Sequence, residues 1–290
     1  MKNNFITSTN LYLFISLTLI FLNFFFIDYV NDNLTILVLI FFVVFFGLPH
    51  GALDTLLAKK NNLYKNLLSF IYFNLIYLSI TILTFFLWLM YPIFSLSLFL
   101  IISIFHFSED WKKEVDIFQR LSISTSIISL TILFHQDSVD SVFFSITQSY
   151  QVSYITNFFY YLGYISLPTM ALILLLNLNK RGICLNIITI IVTAIMLNPL
   201  IYFLCYFCFY HSVKNFKESK KILFPNNKIL QRKVLFINLL FTIIISIIAF
   251  NFFLISNSLE DKLLKITFIG LASLTVPHML LKAYINHRNR

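Results

Sequence analysis

The sequence predicts an all-α, polytopic integral membrane protein, and three observations support this fold class. The 290 residues are 59% hydrophobic and only 11% charged, whereas soluble domains carry about 25% charged residues. Apolar runs long enough to cross a bilayer recur from one end of the chain to the other. The longest polar segment, 214–233, is too short to build a soluble core. We therefore predict a single transmembrane helical domain over residues 1–290.

About ten apolar segments are predicted to be transmembrane helices. They lie at residues 11–30, 34–57, 66–90, 93–108, 117–134, 153–176, 183–197, 199–213, 234–256 and 263–283. The first segment lacks a convincing signal-peptide cleavage site and is predicted to be a retained helix. Pro92 and Pro199 follow tight turns and are predicted to start new helices, because proline is favoured at the first helical position.

The distribution of Lys and Arg predicts that both termini are cytoplasmic. When the loops between ten spans are assigned alternately to opposite faces, only Lys262 and Lys265 fall outside, which leaves 19 of the 21 basic residues on the inner face. Cytoplasmic loops are enriched in basic residues. An anionic membrane surface therefore explains the net charge of +9 better than nucleic acid does. We predict a multi-pass protein of the inner, cytoplasmic membrane.

Four histidines lie near the inner ends of even-numbered spans: His50, His106, His211 and His278. Ionisable side chains are costly inside a bilayer, and imidazoles that converge at one depth indicate a metal ion. A single histidine at a helix end is more often an interfacial residue, so the prediction depends on all four. His135 falls in an opposite loop and His287 in the basic tail, and neither is expected to join the cluster.

Two carboxylates are predicted to orient ligands of this cluster. Asp54 follows His50, and Asp110 follows His106, each at a spacing of four that puts both side chains on one helix face. A carboxylate there can accept a hydrogen bond from the ring nitrogen that faces away from the metal. Asp110 lies among other charged residues, so a solvated loop position is the alternative for it.

The type of ligand narrows the chemistry. Neutral imidazole suits Fe, Cu, Zn and Ni, and four nitrogens on a five- or six-coordinate iron would leave room for O2. A zinc ion closed by four ligands would be structural. A site in the bilayer also favours an apolar substrate that arrives from lipid. A Gly-rich phosphate loop and an HExxH motif are absent from the sequence, which argues against a kinase, an NAD enzyme or an ordinary zinc protease.

Four stretches of the chain resemble the Brp/Blh family of bacterial and archaeal membrane β-carotene 15,15′-dioxygenases. They are PHGALD at 49–54, FHFSEDW at 105–111, YHSVKN at 210–215 and VPHMLL at 276–281. The resemblance implies non-haem Fe2+ and O2, and cleavage of β-carotene from the bilayer at its central 15,15′ double bond into two retinal molecules. A microbial rhodopsin would then accept the retinal.

The third of these motifs departs from the family pattern. That pattern is close to HSxxH, but Asn215 stands at the position of the second histidine. An amide oxygen is a poor ligand for soft or borderline metals, so Asn215 is a doubtful ligand. We expect His278 to complete the site. The alternatives are an iron with three histidines or an altered activity.

Two other classes of function remain open at this point. A b-type cytochrome would use the same four histidines as two axial pairs, although such pairs usually lie at different depths. A transporter could use the histidines and Asp54 as a proton relay inside the membrane. A Soret band would indicate the cytochrome, and the metal content of the pure protein would identify the transporter, which needs none.

Overall fold

The computed structural model describes residues 2–26, 32–47, 51, 53–223 and 259–288. All regular structure within these ranges is helical, which confirms the all-α prediction for them. In chain order the α-helices are α1 Lys2–Phe26, α2 Asp32–Phe42, α3 Asp54–Lys60, α4 Leu67–Met90, α5 Pro92–Ser108, α6 Ile117–Phe134, α7 Gln136–Thr147, α8 Val152–Leu176, α9 Arg181–Met196, α10 Pro199–Tyr206, α11 Val213–Leu223 and α12 Leu259–Arg288.

Three short segments with other helical geometry lie between these helices. A first π-helix, Val43–Gly47, follows α2, and a second π-helix, Phe207–Ser212, joins α10 to α11. A 3₁₀-helix, Glu109–Trp111, continues α5. The two π-helices pack against each other.

Six helical stretches in the described ranges are long and apolar enough to cross a membrane. They are Ser8–Phe25, Leu67–Met90, Pro92–Trp111, Ile117–Phe134, Val152–Leu176 and Asp261–Arg288. Thr35–Phe45 and Arg181–Met196 are shorter apolar helices. A membrane protein is thus supported, but ten spans are not confirmed. The predicted span 234–256 lies outside the described residues, and the cytoplasmic termini and the choice of membrane stay predictions.

The surface of α4 shows why this bundle belongs in lipid. The helix has 24 residues with a mean hydropathy of 2.0, and Trp88 is its buried side chain. Leu68, Leu83 and Met90 are 63%, 69% and 68% exposed. An apolar surface of this length would promote aggregation in water, whereas hydrocarbon tails can cover it without loss.

The predicted span 34–57 is wrong as one continuous helix. α2 ends at Phe42, the first π-helix ends at Gly47, and α3 begins at Asp54. The sequence has Pro49 between the two described parts, and proline is unfavourable in the interior of an α-helix. The predicted spans 183–197 and 199–213 correspond to α9 and to α10 with the second π-helix, which continues into α11.

The helix α7 was not predicted, since the sequence analysis placed a loop between residues 134 and 153. Its twelve residues carry polar side chains on one face and apolar ones on the other. Val139 and Ile146 are buried in the core. A short amphipathic helix of this kind gives no hydropathy peak, so a search for apolar spans overlooks it.

Small side chains let α6 and α8 pack closely. Ser126 and Ser129 are fully buried, and the hydroxyl oxygens of Ser129 and Ser166 lie 2.7 Å apart. A Cβ atom on Gly163 would lie 2.8 Å from Cβ of Leu133 and 2.9 Å from the backbone oxygen of Ser129. Small residues are the usual means by which membrane helices approach each other.

We expect Gly163→Ala to lower the free energy of unfolding by about 1–3 kcal/mol, because the new Cβ overpacks against Leu133 and the α6 backbone. Gly270→Ala is the matched control, since a Cβ there meets no heavy atom of the described residues within 4 Å. Denaturant unfolding in detergent micelles measures both variants. Equal unfolding free energies would contradict the close approach of α6 and α8.

Candidate metal centre

Three of the four predicted histidines lie together in the core of the bundle. His106 lies at the end of α5, His211 in the second π-helix and His278 in α12. The ring centroid of His106 lies 4.5 Å from that of His211 and 5.6 Å from that of His278. The three residues are 6%, 0% and 2% exposed. His50 lies outside the described residues.

The spacing of the rings suits a shared ion. A metal bonded to an imidazole nitrogen at about 2.1 Å lies roughly 3.2 Å from the ring centroid, so two rings that share it have centroids about 4.6 Å apart at a right angle and about 5.6 Å apart at a trigonal angle. The observed separations of 4.5 Å and 5.6 Å lie close to these two values. Among the described residues, which leave out His50, no group of three or more His, Cys, Asp or Glu side chains forms a preformed metal site. The ring centroids are thus close enough for a shared ion, but the described side chains are not arranged as a complete metal-binding site.

The carboxylate of Asp110 holds the ring of His211. Its Oδ2 accepts a hydrogen bond from Nδ1 of His211 at 2.8 Å and another from the hydroxyl of Tyr206 at 3.0 Å. Asp110 is only 4% exposed, and hydrogen bonds to an ionised group are about twice as strong as neutral ones. Because Nδ1 donates its proton to Asp110, Nε2 is the ring nitrogen whose lone pair suits a metal.

A second carboxylate holds His278 in the same way. Both oxygens of Asp54 lie 2.8 Å from Nδ1 of His278, and Oδ2 also accepts a hydrogen bond of 2.9 Å from the hydroxyl of Tyr77. A Cβ on Gly51 would lie 3.7 Å from Nδ1 of His278. The residue that follows His50 in the sequence therefore packs against the His278 ring.

The imidazole partner of Asp110 differs from the prediction. The spacing of four predicted that Asp110 would orient His106, but the carboxylate instead accepts from His211 on another segment. The spacing also predicted that Asp54 would orient His50, which lies outside the described residues, so this pairing stays a prediction; within the described residues Asp54 holds His278. α5 ends at Ser108 and continues as a 3₁₀-helix with three residues per turn, so Asp110 leaves the His106 face. Asp110 is also buried, which contradicts the alternative of a solvated loop charge.

Asn215 lies beside His211 with both ends of its amide engaged. Its Nδ2 donates to Oδ1 of Asp110 at 3.2 Å and to the backbone oxygen of His211 at 3.1 Å. Its Oδ1 accepts a hydrogen bond from Nζ of Lys282. The amide nitrogen, which is not a metal ligand, therefore faces the His211 ring, 3.3 Å from Nδ1.

The comparison with known proteins adds to this geometry. A family model described as "Beta-carotene 15,15'-dioxygenase" matches residues 41–286. The chain belongs to this family. It is 31% identical over 264 residues to a beta-carotene 15,15'-dioxygenase of the uncultured marine bacterium 66A03. The aligned region covers 84% of this chain and 91% of that relative. No solved structure matches the chain. The resemblance seen in the four motifs is confirmed, and the family is one of oxygenase enzymes.

Two contacts of Phe207 in this family member's site were not predicted. Phe207 stacks on His211, with ring centroids 5.7 Å apart and an interplanar angle of 18°. A Cβ on Gly47 would lie 2.7 Å from Cε1 of Phe207, so a side chain on the first π-helix at this position would have to displace the Phe207 ring. π-Helices occur often at functional sites. Sequence reasoning also missed Tyr77 and Lys282, since neither belongs to a recognisable motif.

The remaining two histidines lie away from the cluster, as expected. Nε2 of His135 lies 3.1 Å from the backbone oxygen of Ile195. His135 follows the last residue of α6, whose 18 residues make a helix roughly 27 Å long, so it is far from the α5–α6 connection beside His106. His287 is exposed near the end of α12.

We expect Asp110→Asn to lower the free energy of unfolding by about 1.5–3 kcal/mol, the value of hydrogen bonds to a charged group. One amide oxygen would have to accept from both His211 and Tyr206, while the new amide nitrogen would meet the amide nitrogen of Asn215. Asp137→Asn is the control, because Asp137 is exposed in the first turn of α7. Denaturant unfolding of the metal-free protein tests this, and an Asp110→Asn variant as stable as the control would be contrary to our account.

Proposed function

We propose that this chain is a non-haem iron β-carotene 15,15′-dioxygenase of the inner membrane, which uses O2 to split β-carotene into two retinal molecules. The observation that carries the proposal is the buried cluster of three imidazoles in a member of this family. His106, His211 and His278 would hold the Fe2+. His50 joins the proposal through its sequence position, because it directly precedes Gly51, which packs against His278.

The chain's own groups would orient the ligands and balance their charge. Asp110 and Asp54 hold Nδ1 of His211 and of His278, which fixes the tautomer and the direction of each ring and raises its basicity as a ligand. Two buried carboxylates beside neutral imidazoles also offset the charge of a divalent cation. Bound iron would supply the activation of O2, which no side chain can provide.

An apolar cavity beside the histidines would receive the substrate. It has a volume of about 110 Å³ and is lined by residues that include Trp88, Leu100, Phe107, Tyr206 and Phe268. Phe107, which lines the cavity, contacts the ring of His211 with centroids 5.0 Å apart, so a single side chain separates the cavity from the cluster. Because a cavity of about 150 Å³ takes one benzene ring, this space would hold only part of a carotenoid. The rest of the polyene would extend toward lipid, and a microbial rhodopsin would take up the retinal.

Expression in cells that accumulate β-carotene tests the activity. We expect the orange colour to fade and retinal to form, as measured by chromatography of the extracted pigments. The purified protein should contain iron, and removal of the iron with a chelator should abolish the cleavage until Fe2+ is restored. Unchanged carotenoid in cells that contain folded, iron-loaded protein would contradict the proposed substrate. A Soret band would favour the cytochrome instead.

Histidine variants test the proposed ligands. We expect His106→Ala, His211→Ala, His278→Ala and His50→Ala each to lose bound iron and retinal formation, because each would remove an imidazole from the ion. His287→Ala should keep both, since His287 is exposed near the end of α12. Iron per chain is measured on the purified proteins. Normal iron content in any one of the four variants would remove that residue from the ligand set.

Filling the cavity tests the proposed substrate site separately from the metal. Ile127 lines the cavity and is 4% exposed, so we expect Ile127→Trp to raise the KM for carotenoid or to abolish turnover, with the iron content unchanged. Leu83→Trp is the matched control, because Leu83 is 69% exposed on the lipid-facing side of α4. Turnover at the control rate by folded Ile127→Trp protein would place the substrate elsewhere.

A further inference from the structure

We propose that Asn215 is a positioning residue rather than a metal ligand, and that with Lys282 it clamps together the two helices that carry His211 and His278. The inference rests on the proposed iron site and adds to it two residues with a defined role. Asn215 lies four positions after His211, and Lys282 lies four positions after His278. The two clamp residues thus occupy equivalent places, each one helical turn beyond a histidine.

Both the amide nitrogen and the amide oxygen of Asn215 have hydrogen-bond partners. An amide group has two donor hydrogens on nitrogen and an acceptor oxygen. The two hydrogens go to Oδ1 of Asp110 and to the backbone oxygen of His211, and the oxygen takes the ammonium of Lys282. The clamp therefore links α12 through Lys282 and Asn215 to Asp110, which in turn holds His211.

The partners also fix which way the amide points. With oxygen and nitrogen exchanged, the amide oxygen would face the carboxylate of Asp110, and the amide nitrogen would face the ammonium of Lys282. Both contacts would be repulsive, and the assignment of such amides follows from their partners. Asn215 therefore keeps its oxygen toward Lys282 and its nitrogen toward the His211 ring.

The charge of Lys282 argues against metal binding by Oδ1 of Asn215, which already accepts from that ammonium. An ion bound to Oδ1 of Asn215 would share one small dipole with the ammonium that donates to it, and two like charges so close repel strongly in a poorly polarisable interior. The same ammonium suits the clamp, because the chain of contacts ends on the carboxylate of Asp110.

A cobalt titration followed by visible spectroscopy tests the positioning role. We expect Asn215→Ala and Lys282→Met each to weaken Co2+ binding about 10- to 100-fold, as is usual for groups that support metal ligands. The ligand-field bands should keep the positions and intensities of the wild type, because the ligands stay the same. Asn74→Ala is the matched control, since Nδ2 of Asn74 donates to the backbone of its own helix at Phe70. Shifted bands in Asn215→Ala, or affinity equal to that of the control, would overturn the proposal.

The clamp can also be tested without a metal. We expect the thermal midpoint of the metal-free double variant, Asn215→Ala with Lys282→Met, to fall by less than the sum of the two single shifts, because both remove the same contact. Additive shifts would refute the clamp. If the wild type binds no Co2+, the proposed iron site fails, whereas this thermal cycle still decides whether the two side chains act together.

Discussion

Two carboxylates buried in an apolar bundle are the constraint on which the rest of this structure depends. An ionised side chain away from water must be matched by a partner with good hydrogen-bond geometry. Asp54 receives its hydrogen bonds from Tyr77 on α4 and from His278 on α12. These contacts tie α3 to two of the long apolar helices, so helices remote in sequence are held at one place by charge rather than by apolar packing alone.

Asp110 has an equivalent set of contacts with another member of the cluster. Tyr206 and His211 share its Oδ2, so each carboxylate joins a tyrosine hydroxyl to an imidazole. Tyr206 also lines the apolar cavity. One side chain therefore forms the wall of the proposed substrate space and supports the carboxylate that directs a proposed ligand. Side chains held on both sides in this way lose little further freedom when an ion binds, which is the meaning of preorganisation.

Much of this arrangement could be predicted from the sequence, and the limits have clear physical causes. The lengths of the apolar segments predicted α4, α5, α6, α8 and α12. The shared depth predicted for the histidines indicated a cluster, and three of them do lie together. Spacing alone could not pair Asp110 with His211, because it assumes an unbroken α-helix. The chain changes to 3₁₀ geometry at Glu109, and this change turns the Asp110 carboxylate toward another helix. Spacing also could not show that Asp54, at the start of α3, holds His278 on α12. The contact of Lys282 also could not be predicted from spacing, since its partner Asn215 is 67 residues away in the sequence.

X-ray absorption at the iron edge of the purified, iron-loaded protein tests the central claim most directly, because it reports the atoms bound to the metal whatever the substrate is. We predict one iron per chain, with a first shell dominated by nitrogen and with the outer-shell scattering that imidazole rings produce. A shell of oxygen or sulfur ligands without imidazole scattering, or a protein that takes up no iron, would contradict the claim that the buried histidines form its metal site.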